Sequence, residues 1–171
     1  GQSLSDYASE KLWKPLGAEH PALWSTDKEQ GHVKAYCCFN SNTRDFARIG
    51  KLMLDSGKWN GTAIIGSAYW ANSIKPCGIP DLKGAACDYY GYQWWMTEHG
   101  GYYASGVFGQ QCMVLPEQDT VIVFTCGLRL GEKRLHAALW QHLFPALGRT
   151  AVDANASQTQ LDALIDGLRL P

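Results

Sequence analysis

From Tyr90 to Thr125 the chain reads as an antiparallel meander, and that stretch limits the possible folds more tightly than any other. Strands are predicted over 92–96, 102–106, 110–115 and 120–125, with Pro116-Glu117-Gln118-Asp119 as a hairpin turn. The segment Tyr102-Tyr103-Ala104-Ser105-Gly106-Val107-Phe108-Gly109-Gln110 leads into the alternating run Gln111-Cys112-Met113-Val114-Leu115. Gly106 and Gly109 cost a strand both entropy and packing, so they belong where another backbone or a ligand must come close. That segment therefore reads as the wall of an active site.

Helices are expected to cover the faces of this sheet. Leu4, Tyr7, Ala8, Leu12 and Trp13 fall at helical spacing up to Pro15, and a helix already under way at residue 4 reads as cut from a longer one. Asn42 and Asp45 cap a second helix that carries Phe46, Ile49, Leu52 and Met53 and stops at Gly57. A short third helix starts near Ser67 with Tyr69, Trp70 and Ile74, and the loop around Pro76-Cys77-Gly78-Ile79-Pro80 reads as a lid or an insertion. Leu135, Leu139, Leu143 and Phe144 make the stripe of another helix, ended by Pro145. Ser157 and Gln160 are expected to cap a last helix bearing Leu161, Leu164, Ile165 and Leu168. The fold class is α+β, an antiparallel sheet flanked by helices. Residues 1–147 form the domain; residues 148–171 form a linker and a C-terminal helix.

Composition narrows the partners. The 171 residues, 46% of them hydrophobic, suffice for one core, and no apolar stretch is long enough for a membrane helix. Net charge is -1 with the basic residues scattered, which argues against nucleic acid. The Tyr89-Tyr90-Gly91-Tyr92-Gln93-Trp94-Trp95 cluster fills a core or lines an apolar pocket, with core filling the plainer reading for most rings. Six cysteines and five histidines show no metal-ligand spacing, so no metal or other cofactor is expected. Cys77 and Cys87 are open to either a disulfide or two free thiols, and the adjacent Cys37 and Cys38 are expected to be buried small side chains. The first residues have neither the basic nor the apolar region of a signal peptide.

Five stretches in order carry a resemblance: Gly1-Gln2-Ser3-Leu4, Lys14-Pro15-Leu16-Gly17-Ala18-Glu19-His20, Thr43 through Leu54, Tyr90-Gly91-Tyr92-Gln93-Trp94-Trp95, and Gly106-Val107-Phe108-Gly109-Gln110. Together they resemble the C-terminal portion of the serine β-lactamase-like family, the group that holds class C β-lactamases, DD-peptidases, esterases and 6-aminohexanoate-dimer hydrolases. The resemblance implies the C-terminal part of a transpeptidase-like fold and acyl transfer by a Ser in S-x-x-K, with a Lys and a Tyr moving protons. A hydroxyl needs such a base, and each oxyanion donor is worth about 3 kcal/mol. The family's K-T-G slot falls on Ala104-Ser105-Gly106, without the lysine, which favours an ester or amide over a carboxylate-bearing β-lactam. The backbone N–H of Val107 is implied as the oxyanion donor, with Ala104, Ser105, Gly106, Phe108, Gly109 and Gln110 as substrate contacts.

The nucleophile is missing. Ser25-Thr26-Asp27-Lys28 spells S-x-x-K, but in a polar loop with no apolar helix behind it, and Tyr103-Ala104-Ser105 overlaps a strand. In the family both motifs precede the helix that opens here, so the expectation is a C-terminal fragment of a serine hydrolase, inactive by itself. It would work with the missing N-terminal half or pair with a second copy. The family favours a periplasmic or secreted location. The other expectation is a non-catalytic binding or self-assembling module derived from the same fold.

Overall fold

In the computed structural model, residues 1–80, 83–129, 132–148 and 154–167 are described. Helix α1 spans Leu4–Ala8 and winds on as a wider π turn over Ser9–Trp13; α2 is Thr43–Leu54 and α3 is Ser67–Ser73. Two small hairpins pair β1 (Leu23–Trp24) with β2 (Phe39–Asn40) and β3 (Lys58–Trp59) with β4 (Thr62–Ala63). The main sheet has the order β5 (Trp95–Met96), β6 (Tyr102–Gly106), β7 (Gln110–Leu115), β8 (Thr120–Phe124), antiparallel throughout. Helix α4 is Glu132–Ala138, followed by a π turn Leu139–Leu143 and a 3-10 turn Phe144–Ala146, and α5 is Ala154–Gly167.

This is the α+β architecture expected, and the β7 sequence shows why the sheet is covered on both faces. Met113, Val114 and Leu115 are all fully buried, so neighbours that point to opposite sides of the pleat are both out of water. Each such side chain contributes about 2 kcal/mol. On one face Val114 joins Met53 of α2, Trp94 and Tyr102 in the core cluster, with Ala104 and Cys112 packed against it. On the other, His136 of α4 reaches Gln111. Helix α2 can lie close on the sheet because Gly50 faces it: an added Cβ would meet Val121 Cγ1 at 2.4 Å and Cys112 Sγ at 2.9 Å.

Local signals account for the helix ends. Asn42 Oδ1 accepts the N–H of Asp45, and Gly57 beyond the far end takes a positive φ of 79°. Helix α1 has its own cap, the Ser3 hydroxyl accepting from Asp6 N at 3.1 Å, which corrects the expectation of a helix running in from upstream. Strand β5 is shorter than its sequence suggests, because Gln93 at φ 68° turns the chain and Gly91 N bonds Trp94 O at 2.7 Å. Helix α5 starts three residues before Ser157, which is therefore not its cap: Ala154 and Ala156 carry helix well enough to extend it upstream. Leu168 and residues 149–153 of the expected linker lie outside the described residues.

Two compact units divide the chain, Gly1–His136 and Ala137–Pro171. The adjacent cysteine pair differs from expectation. Cys37 and Cys38 are joined to each other in a disulfide in a surface loop, Cys37 half-buried and Cys38 exposed, with Cys38 at a positive φ of 68°. Cys77 and Cys87 are free thiols. Their loop is instead held by main-chain bonds, Cys77 N to Tyr90 O, Gly78 N to Cys87 O and Cys87 N to Ile79 O.

Candidate active site

The glycine-bearing segment forms the tight end of the β6–β7 hairpin. Gly106 pairs with Gln110, which leaves Val107, Phe108 and Gly109 as a three-residue loop. Phe108 takes φ 68° and Gly109 φ 86°, and the first of these is a conformation that a side chain with a Cβ rarely adopts. Such a residue persists only where its surroundings fix it. The segment after β8 does so: Leu128 N donates to Phe108 O at 2.8 Å, and Gln110 clasps the backbone of Cys126 with both ends of its amide. Cys126 N donates to Gln110 Oε1 at 3.0 Å, while Gln110 Nε2 donates to Cys126 O. Gly109 lies against the same segment, where a Cβ would touch Cys126 Cβ at 3.5 Å and Leu128 Cβ at 3.6 Å.

Thus the loop is pinned from one side and open on the other. Val107 is 75% exposed and Phe108 54% exposed. Among the described residues no acceptor meets the N–H of Val107. Ser105 and Gly106 are exposed as well, whereas Gly109 is buried and Ala104 packs on the core cluster. The sequence-named residues therefore divide. Ser105, Gly106, Val107 and Phe108 share an exposed rim, while Ala104, Gly109 and Gln110 hold it in place.

Behind the rim a second polar arrangement went unread in the sequence. Ser105 stands opposite Gln111 in register, and the buried Gln111 Oε1 lies in hydrogen-bond contact with His136 Nε2 at 2.9 Å. The imidazole also meets Tyr103 edge-on, centroids 5.1 Å apart. No periodicity could have paired His136 with Gln111, 25 positions away.

Chemically, the rim carries the unpaired main-chain N–H of Val107 and the hydroxyl of Ser105, and no S-x-x-K pair stands beside them among the described residues. Ser25 and Lys28 lie in the loop beyond β1, where Thr26 bridges Val33, and not at a helix start. Tyr103 and Ser105 are on strand β6 as expected. Among the described residues no group of three or more His, Cys, Asp or Glu is placed to hold a metal ion, and no helix is long and apolar enough to cross a membrane.

The aromatic cluster is split between core and surface. Trp94 is buried against Tyr102 with rings 5.3 Å apart, while the half-exposed Tyr89 stacks on Trp95 at 5.9 Å. Tyr102 donates its hydroxyl to Met53 O at 3.0 Å, and burial pushes its phenol up to about 12.

Comparison with known proteins places these features. A family model described as Beta-lactamase matches residues 1–144. The 6-aminohexanoate-dimer hydrolase of Paenarthrobacter ureafaciens is 31% identical over 131 residues, which cover 71% of this chain and 32% of that protein. Among solved structures, a putative 6-aminohexanoate-dimer hydrolase from Bacillus anthracis superposes with a TM-score of 0.71 at 28% identity, over 87% of this chain and 40% of its own. The chain thus spans about a third of the length of the curated relative.

Proposed function

This chain belongs to the beta-lactamase family, and from that premise we propose that it supplies the binding wall and one oxyanion donor of a serine hydrolase acting on a small ester, amide or lactam through an acyl-enzyme. The observation that carries the reading is the rigid, one-sided β6–β7 loop, in which Val107 is 75% exposed and its N–H meets no acceptor among the described residues. Such a donor is useful in acyl transfer only if it does not move as the tetrahedral oxyanion forms, and the Gln110 and Leu128 bonds give it that rigidity. Ser105 would bond the substrate, and Phe108 would flank it as an apolar lip.

The nucleophilic serine and the proton-moving lysine and tyrosine would come from polypeptide outside these residues. A second copy of the chain is the other partner proposed. Both similar proteins carry the name of a hydrolase of a 6-aminohexanoate dimer, which favours an amide among the three substrate classes.

Substitution of Val107 in the full-length polypeptide tests the assignment. Val107→Pro removes the N–H and should lower kcat/KM on a nitrophenyl ester by about 100- to 1,000-fold, with KM little changed. Val107→Ala keeps the N–H and should stay within a few-fold of wild type. Equal losses in the two variants, or none in either, would reject the donor. A full-length polypeptide that takes no fluorophosphonate label would point to the non-catalytic module.

A further inference from the structure

The Cys37–Cys38 disulfide closes a ring between neighbouring residues, and the Cys37 carbonyl in it helps to hold a tryptophan. Trp24 donates its indole N–H to Cys37 O at 3.0 Å and to Lys34 O at 3.0 Å. Cys38 O accepts both Ser25 N at 3.0 Å and Asn40 Nδ2 at 2.9 Å, so the ring also fixes the β1–β2 hairpin. Trp24 in turn meets Phe39 edge-on at 5.2 Å, and Phe39 meets Trp13 of the first helix at 5.1 Å. These three rings line a cleft of about 250 Å³ whose wall also includes Ser5, Ser9 and Pro21.

We propose that Cys37 and Cys38 form a thiol–disulfide exchange site whose redox state sets the position of Trp24 and thereby the shape of this cleft. Cys38 is the more exposed residue of the two, and its sulfur is taken as the point of attack. A thiolate of a dithiol reductant bonds to Cys38 Sγ, the bond to Cys37 Sγ breaks, and Cys37 leaves as a thiolate that takes a proton. The second thiol of the reductant then displaces Cys38, which is protonated in its turn. Two electrons and two protons pass to the protein, and the reductant ends as its cyclic disulfide. Once the ring is open, nothing covalent keeps Cys38 at its positive φ, a conformation disfavoured for a residue with a Cβ. The carbonyls that hold Trp24 and Ser25 then turn away. This inference is independent of the hydrolase reading.

The test uses the chain equilibrated in graded ratios of reduced to oxidised dithiothreitol, then labelled with maleimide and mapped by mass. Tryptophan emission is read on the same samples. The expected result is a joint appearance of adducts at Cys37 and Cys38, with an emission shift that follows the same curve. The shift is lost in Trp24→Phe and in Cys37→Ser/Cys38→Ser. If the serine variant does not fold, the Trp24→Phe comparison alone decides. Adducts at both positions in the fully oxidised sample would overturn the proposal, as would labelling that leaves the Trp24-dependent emission unchanged.

Discussion

The Asp45 carboxylate accepts the backbone N–H of Glu19 at 2.8 Å, across 26 residues of sequence. It also accepts His20 N at 3.1 Å, Asn42 Nδ2 at 2.7 Å and Arg48 Nε at 3.2 Å, and Arg48 goes on to Glu19 Oε1 at 2.5 Å. A wholly buried carboxylate is thereby paired and fully bonded. Two of the stretches that carry the family resemblance, around residues 14–20 and 43–54, are the two sides of this joint, which makes their role architectural.

Asp45→Asn should therefore cost about 3 kcal/mol, since it leaves Arg48 and at least one buried N–H unmatched. Burial alone would raise the Asp45 carboxyl, but the N–H of Glu19, the Asn42 amide, the His20 N–H and the Arg48 guanidinium outweigh it and hold it below the usual range. The stabilisation is thus complete above the unfolded carboxylate value of about 3.9 and is lost as pH falls through the lower folded value. Urea midpoints at pH 7 and below pH 3 check this: the gap between wild type and variant should narrow in acid.

Gly50→Ala sets two effects against each other. Alanine favours an isolated helix by about 1 kcal/mol. Here the new methyl group would stand 2.4 Å from Val121 Cγ1 and must push α2 off the sheet. A net loss of about 1–3 kcal/mol is expected, read from the denaturation midpoint. A variant more stable than wild type would mean that α2 and β8 separate more easily than the packing indicates.

Gln110→Ala strips the clasp from Cys126 and leaves its N–H and C=O without this partner, at a cost of about 1–3 kcal/mol. Amide exchange at Cys126 and Leu128, whose N–H groups bond Gln110 Oε1 and Phe108 O, should quicken while β7 residues such as Val114 keep their protection. Uniform quickening would show general destabilisation in place of a positioning role.

Tyr102→Phe should be mild, about 1 kcal/mol, because Met53 O keeps its second donor, Trp70 Nε1 at 2.8 Å. In wild type one tyrosine should resist ionisation until about pH 12, seen by ultraviolet titration, and that resistance should vanish in the variant.

Of the four free cysteines, Cys112 should alkylate slowest at pH 8, since burial pushes its thiol up to about 12. Mass mapping after timed iodoacetamide treatment gives the order.

The meander, the capped helix α2 and the hairpin turns were legible from residues 42–57 and 95–124, because cap, glycine and alternation signals act between near neighbours. The same signals misjudged β5, where Gln93 turns the chain against a strand-like composition, and α5, where Ala154 carries helix past the serine that resembled a cap. The candidate site shows the division most clearly. Its loop could be named from Gly106 and Gly109, yet the Gln110 clasp, the Gln111 and His136 pair and the Asp45 joint join residues 16 to 26 positions apart. Local conformational preference is written in a few adjacent residues. Which distant amide a buried carboxylate or glutamine will satisfy depends on the packing of the finished chain, and only the tertiary structure decides it.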